Sequence, residues 1–191
     1  MALLILLNGP PGIGKSTLSA LYVERHPGTL NLDIDGLHRL VGGWEDTWGR
    51  THDILRPIAL AMASAHLAGG RDVIVPQYLG ALKSIVAFED VARAQAAEVR
   101  EIVLLDDKAQ SIRRFHRRQD DSPWGVHNRA LVARHGGSAM LAAMYDQLLE
   151  VVGLRTSAVV IRSELDAVER TYDALIDAIQ GRTEDATGSS G

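Results

Sequence analysis

The chain has 191 residues, 46% hydrophobic and 23% charged, which suits one buried core and excludes a disordered or fibrous protein. The absence of cysteine excludes disulfides, thiolate metal sites and a cysteine nucleophile. A net charge of −4 argues against a protein whose main work is holding duplex DNA or an anionic membrane, and the seven histidines include no His-x-x-x-His pair suited to a helical zinc site.

Ala2 to Leu7 is a continuous apolar run, as expected of a strand buried on both faces. It has no basic segment before it and is too short for a signal peptide or a membrane span, so a cytoplasmic location is the default expectation. A helix is expected from Lys15 to Arg25, stopped by Pro27-Gly28, and a second strand from Thr29 to Ile34. A helix from Asp53 to Ala68 ends at Gly69-Gly70, and Asp72 to Pro76 gives the third strand. Then follow a helix from Leu82 to Glu98, a strand from Val99 to Leu105 and a helix from Lys108 to Gln119. A helix from Ser138 to Val152, a strand from Ala158 to Ile161 and a helix from Glu164 to Gln180 complete the pattern, with Ser163 and Asp166 resembling a capping box.

Strands alternating with helices imply an α/β three-layer sandwich, a five-stranded parallel sheet with helices on both faces. Residues 1–180 are expected to form one domain, and the tail 181–191, ending Gly-Ser-Ser-Gly, to be disordered. Such sheets bind ligands beyond the C-terminal ends of their strands. The chemistry is therefore sought just after Leu7, Ile34, Val75 and Leu105.

Gly9-Pro10-Pro11-Gly12-Ile13-Gly14-Lys15-Ser16 matches G-x-x-x-x-G-K-[ST] between a buried strand and a helix, the context that a phosphate-binding P-loop requires. Glycines let the loop curl so that backbone N–H groups converge on a phosphate chain, and the N-terminus of the following helix, with Thr17 a further candidate for the nucleotide, adds positive potential. Lys15 supplies a point charge for the outer phosphates of ATP, and the Ser16 hydroxyl suits a Mg²⁺ position. Lys15 is one of only three lysines, so the motif is no by-product of a lysine-rich surface.

No Asn-Lys-x-Asp element for guanine is present, and no strand ends in the Asp-Glu of a motor ATPase. A kinase gains from Leu32-Asp33-Ile34-Asp35-Gly36-Leu37-His38. Read as extended chain, the i, i+2 spacing puts Asp33 and Asp35 on one face, where a metal shell and an acceptor hydroxyl can divide them. The P-loop followed by Asp33-x-Asp35 resembles the nucleoside-monophosphate-kinase-like P-loop kinases, among them shikimate kinase, gluconate kinase and chloramphenicol phosphotransferase. That resemblance implies the sheet order 2-3-1-4-5, with Asp33 on the metal side and Asp35 on the substrate side or as general base. It is carried by the first 40 or so residues. Pro76-Gln77-Tyr78 departs from the pattern, and Gln77 and Tyr78 become candidate substrate contacts.

Trp44 and Trp48, with Arg50 and Arg56, are candidates to line the acceptor pocket together with His38. The segment Arg113-Arg114-Phe115-His116-Arg117-Arg118 puts 113 with 117, and 114 with 118, on shared helix faces. The resemblance implies a lid over roughly 113–137, whose Arg117 and Arg113 would neutralise charge on the transferring phosphate. The expected activity is transfer of the ATP γ-phosphate to a hydroxyl of a small molecule: a sugar-like metabolite, an antibiotic or a nucleoside-type compound. A kinase acting on nucleic-acid ends, disfavoured by the acidity, and a non-catalytic nucleotide-binding regulator are the alternatives.

Overall fold

A computed structural model describes residues 1–45 and 50–181. The expected disordered tail, apart from Gly181, lies outside the described residues. Five parallel strands form one sheet in the order β2-β3-β1-β4-β5, comprising β1 (Leu3–Asn8), β2 (Leu30–Asn31), β3 (Val73–Pro76), β4 (Glu98–Leu105) and β5 (Val159–Arg162). The central β1 pairs with β3 on one side and β4 on the other, Leu4 opposite Val73 and Val99, Leu7 opposite Pro76 and Ile102. With neighbours on both edges and helices on both faces, β1 has no wet side. Its unbroken apolar sequence follows from that position.

Alternation along the strands divides the core in two. Leu4, Leu6, Val73 and Val75 face a layer containing α3 (Arg50–Ala68) and α4 (Leu82–Ala94), where Leu55, Ala59, Ala63, Ile85 and Phe88 are buried. Ile5, Leu7, Ile74, Ile102 and Leu104 face the other layer, with α1 (Lys15–Arg25) and α8 (Val168–Ile179) supplying Leu18, Tyr22, Tyr172 and Leu175. Each fully buried Leu or Ile here contributes about 1.5–3 kcal/mol.

Several boundaries differ from the expectations for local reasons. The second strand is short, because Asp33 caps a four-residue helix, α2 (Ile34–Leu37), by accepting a bond from the Asp35 N–H. Asp33 and Asp35 are thus not neighbours on extended chain. The helix expected to reach Glu98 ends at Ala94: Ala96 adopts φ 51° and the chain turns into β4 with no glycine to announce it. The expected capping box at Ser163 is absent. α8 starts at Val168 with no side-chain cap, and the Ser163 hydroxyl donates to the Ile13 carbonyl at 2.9 Å instead.

Two helices, α5 (Lys108–Arg117) and α7 (Ser138–Gly153), flank an unanticipated third, α6 (Pro123–Arg134). α6 begins with Ser122 accepting from the Gly125 N–H, and Pro123 supplies the pre-set φ of the first turn. Phe115, Val132 and Leu141 form a small core of their own beneath these three helices. No described helix is long and apolar enough to cross a membrane.

Candidate functional site

The loop between β1 and α1 is built from both sides. Asn8, fully buried, accepts from the Gly9 and Leu79 N–H groups at 2.8 Å each and donates to the Leu79 carbonyl, tying the loop to the chain after β3. At Gly12 the backbone takes φ +82°, and a Cβ there would stand 2.8 Å from the Phe115 Cα. Only glycine lets α5 lie this close against the loop. Arg114 on α5 is the clamp. Its guanidinium donates to the Ile13 carbonyl at 2.7 Å and the Ser163 carbonyl at 2.5 Å, with the Asp106 carboxylate 3.5 Å away. One side chain thus joins the loop, the ends of β4 and β5, and α5.

Lys15 is 9% exposed and donates from Nζ to the Gly9 and Pro10 carbonyls at 2.7 and 2.9 Å. Burial pulls its pKa down from 10.5 to about 8, the nearby Arg118 adds to the fall, and Asp35 and Asp33 oppose it. Burial pushes the Asp33 carboxyl above its ordinary range and the Asp35 charge adds to this, while bonds from the Asp35 N–H, the Ser16 hydroxyl and the Gly36 N–H pull the other way. His38 is held below its ordinary pKa by burial, with His52 and His127 acting in the same direction and Asp35 against them.

A cavity of about 680 Å³ opens over the loop. Gly12, Gly14, Lys15, Ser16 and Thr17 line it from the loop and the start of α1, and Asp35, His38, Trp44, Gln77 and Tyr78 line it from the segments after β2 and β3. Arg117 lines it from α5, but Arg113, expected beside it, is exposed, donates to Gln110 and is absent from the cavity wall. Arg113 shares the face of Arg117 but stands one turn earlier on α5, while the turn that lies against the loop carries Arg114 and Phe115. Arg114 and Arg118 line the cavity in its place.

Gly9, Pro10 and Ile13 do not line the cavity: the first two offer their carbonyls to Lys15, and the Ile13 side chain is fully buried in the core. Asp33 sits behind Ser16, off the cavity wall. Arg56 borders a smaller neighbouring pocket with Ile34, His52 and Phe88. Trp48 lies outside the described residues, as does the side chain of Arg50. The Tyr78 hydroxyl is committed to the Met144 carbonyl at 2.9 Å, so its ring, and not its oxygen, is available to a ligand.

Thr51, His52, Trp124 and His127 also line the cavity and were missed as site residues. Trp124 and His127 lie on the unanticipated α6, which Ser122-Pro123 signals as an N-cap followed by a first-turn proline. The Ser16 hydroxyl with the Asp33 and Asp35 carboxylates is a set of hard oxygen donors, which fits Mg²⁺ in kind. Lys15, bonded only to carbonyls of its own loop, is free to exchange them for phosphate oxygens.

A family model described as an AAA domain matches residues 4–144. Among solved structures, a gluconokinase from Sinorhizobium meliloti superposes with TM-score 0.62 at 17% identity, over 93% of this chain and 91% of that one. The tunicamycin resistance protein of Deinococcus radiodurans gives TM-score 0.59 at 18% identity, over 96% and 98% of the two chains. At such identities the likeness is one of fold. No curated protein matches the sequence.

Proposed function

From the premise that the chain belongs to the AAA domain family and has a P-loop kinase-like fold, we propose that it is an ATP-dependent phosphotransferase acting on a hydroxyl of a small molecule. The observation that carries this reading is the sharing of one cavity by the Lys15 end of the loop and Asp35, with Arg117 and Arg118 above them. In this reading residues 1–180 act as one domain, with 113–137 as the lid.

The loop N–H groups and Lys15 bind the phosphate tail, Lys15 leaving the Gly9 and Pro10 carbonyls to do so. Ser16, backed by Asp33, would hold Mg²⁺, which when bound screens the charge of the outer phosphates. Asp35 orients the acceptor hydroxyl and takes its proton as the oxygen forms a bond to the γ-phosphorus. The bond from that phosphorus to the β,γ-bridging oxygen breaks, and ADP leaves with the electron pair. Arg117 and Arg118 neutralise charge spread over the transferring oxygens, and the lid keeps water from the γ-phosphate.

Transfer of labelled γ-phosphate to a panel of metabolites, antibiotics and nucleosides tests this. Asp35→Asn is expected to slow transfer by about 10²–10⁴-fold while nucleotide still binds. Transfer at the wild-type rate by Asp35→Asn would refute the assignment. The nucleic-acid-end alternative loses support, because Arg114 in the middle of the basic segment is consumed by internal bonds.

A further inference from the structure

We propose, on the phosphotransferase reading above, that the acceptor is an uncharged alcohol carrying a planar ring, gripped between Trp124 and His127 of the lid and His38 and Trp44 of the base. In a chain only 5% aromatic, Trp124 and His127 of α6 meet His38 and Trp44 on the wall of this cavity. Trp124 lies stacked on His38, centroids 4.1 Å apart and planes 19° from parallel. Trp44 approaches His127 at 5.1 Å and Trp124 at 6.1 Å, and His52 lies 6.3 Å from His38. Across the cavity, lid and base meet ring on ring.

The charges sort along the cavity. The cationic side chains described on its wall, Lys15, Arg114, Arg117 and Arg118, belong to the loop and α5. Elsewhere on the wall stand Thr51, Gln77, Asn128, Asp35 and Asp53 with the imidazoles of His38, His52 and His127, and Arg56 borders the adjoining pocket beside His52 and Gln77. A carboxylate or phosphate on an acceptor seated among the rings would face Asp35 and Asp53, which repel it, at a cost that grows as water leaves the cleft.

Two polar atoms beside Asp35 await a ligand. His38 is 6% exposed and Gln77 9%, and neither His38 Nε2 nor Gln77 Oε1 has a hydrogen-bond partner. The other end of the Gln77 amide leans on Asp35, Nε2 to Oδ1 at 3.4 Å. An unpaired buried acceptor is costly, and a hydroxyl or ring N–H of the ligand relieves it.

Parting the His38–Trp124 stack decides the class. A planar ring that enters replaces one ring–ring face by two and leaves both protein rings covered. An open-chain polyol separates them and returns no stacking.

The test uses the full chain loaded with a non-hydrolysable ATP analogue, titrated with thymidine and adenosine as planar-ring probes and with glucose and gluconate. Calorimetry and tryptophan fluorescence are the readouts. The nucleosides are expected to bind about tenfold or more tightly than either sugar and to quench fluorescence. Trp124→Ala is expected to cost them about tenfold, Trp124→Phe to recover most of the loss, and glucose to change less than about twofold. Equal or tighter binding of gluconate or glucose, no binding of either nucleoside, or equal weakening of all four probes by Trp124→Ala overturns the proposal. Binding of the analogue separates the two readings: its failure to bind sinks both, whereas analogue binding with gluconate preferred sinks the planar-ring acceptor alone.

Discussion

Nucleotide affinity is expected to depend on pH through Lys15. In the free protein its pKa stands at about 8, because burial among the Gly9 and Pro10 carbonyls disfavours the charge. A triphosphate needs the ammonium, and its anionic oxygens return the side chain towards its ordinary 10.5. Below pH 8 the charge is already present and affinity is flat. Above it the free protein has lost a proton that binding must restore, so affinity falls about tenfold per pH unit, about 1.4 kcal/mol each. The fall levels off near the pKa of the bound state. Between pH 7 and 9 the loss is therefore about tenfold. Calorimetry of ATP-analogue binding in buffers of different ionisation heat measures this directly, with uptake of about half a proton expected at pH 8. Constant affinity from pH 7 to 9, or no proton uptake on binding at pH 8, refutes the reasoning.

The same shift has a stability side with the opposite sense of pH. Lys15 binds its proton less tightly folded than unfolded, so at neutral pH the folded chain bears the cost of a buried ammonium, about 3 kcal/mol. That cost is relieved as pH rises from 8 towards 10.5, and stability gains from this group over that window. Lys15→Met removes the charge but leaves the Gly9 and Pro10 carbonyls unpaired, at about 1 kcal/mol each. The nucleotide-free variant is thus expected to be about 1 kcal/mol more stable than the parent while binding no nucleotide.

Gly12→Ala meets both a left-handed φ of +82° and the Phe115 backbone at 2.8–2.9 Å. A loss of about 2–4 kcal/mol is expected in chemical denaturation, from strain and overpacking together, and a loss below about 1 kcal/mol would show that α5 yields freely. Arg155, 15% exposed at its side chain, pairs with Glu89 and, at 2.7 Å, with Glu101, whose side chain is 2% exposed. Arg155→Met strands a buried carboxylate and is expected to cost about 3–5 kcal/mol, of which Glu101→Leu in the same chain recovers a large part. No recovery in the double variant would mean that the arginine acts by packing alone.

Much of the sheet was legible because its signals are local. β1, β3 and the 102–105 end of β4 read as apolar runs for the same reason that they fold: each is covered on both faces by helices. Boundaries that depend on tertiary contacts were not legible. Ser163 looks like a helix cap until the Ile13 carbonyl and Arg114 claim it. α4 has no glycine at its end, because Ala96 takes the left-handed turn itself. Arg113 and Arg117 share a face on any helical wheel, yet only Arg117 reaches the cavity wall, since the last turn of α5 lies over the loop and the earlier one does not.

The aspartate pair shows how a choice of residues can rest on a geometry that the fold does not adopt. Extended chain would put Asp33 and Asp35 side by side facing the phosphate. Instead, Asp33 caps α2 and supports Ser16 from behind, and Asp35, two residues on, stands in the cavity against Gln77. The cap is what separates their environments: the bond from the Asp35 N–H fixes the Asp33 carboxylate at the head of α2 and so directs the next residues inward. Two carboxylates on one flat face would repel each other and titrate as a pair. Placed on either side of a helix start, one can serve the loop while the other meets the acceptor. The division of labour read into the spacing is therefore better served by the helical turn than by the strand.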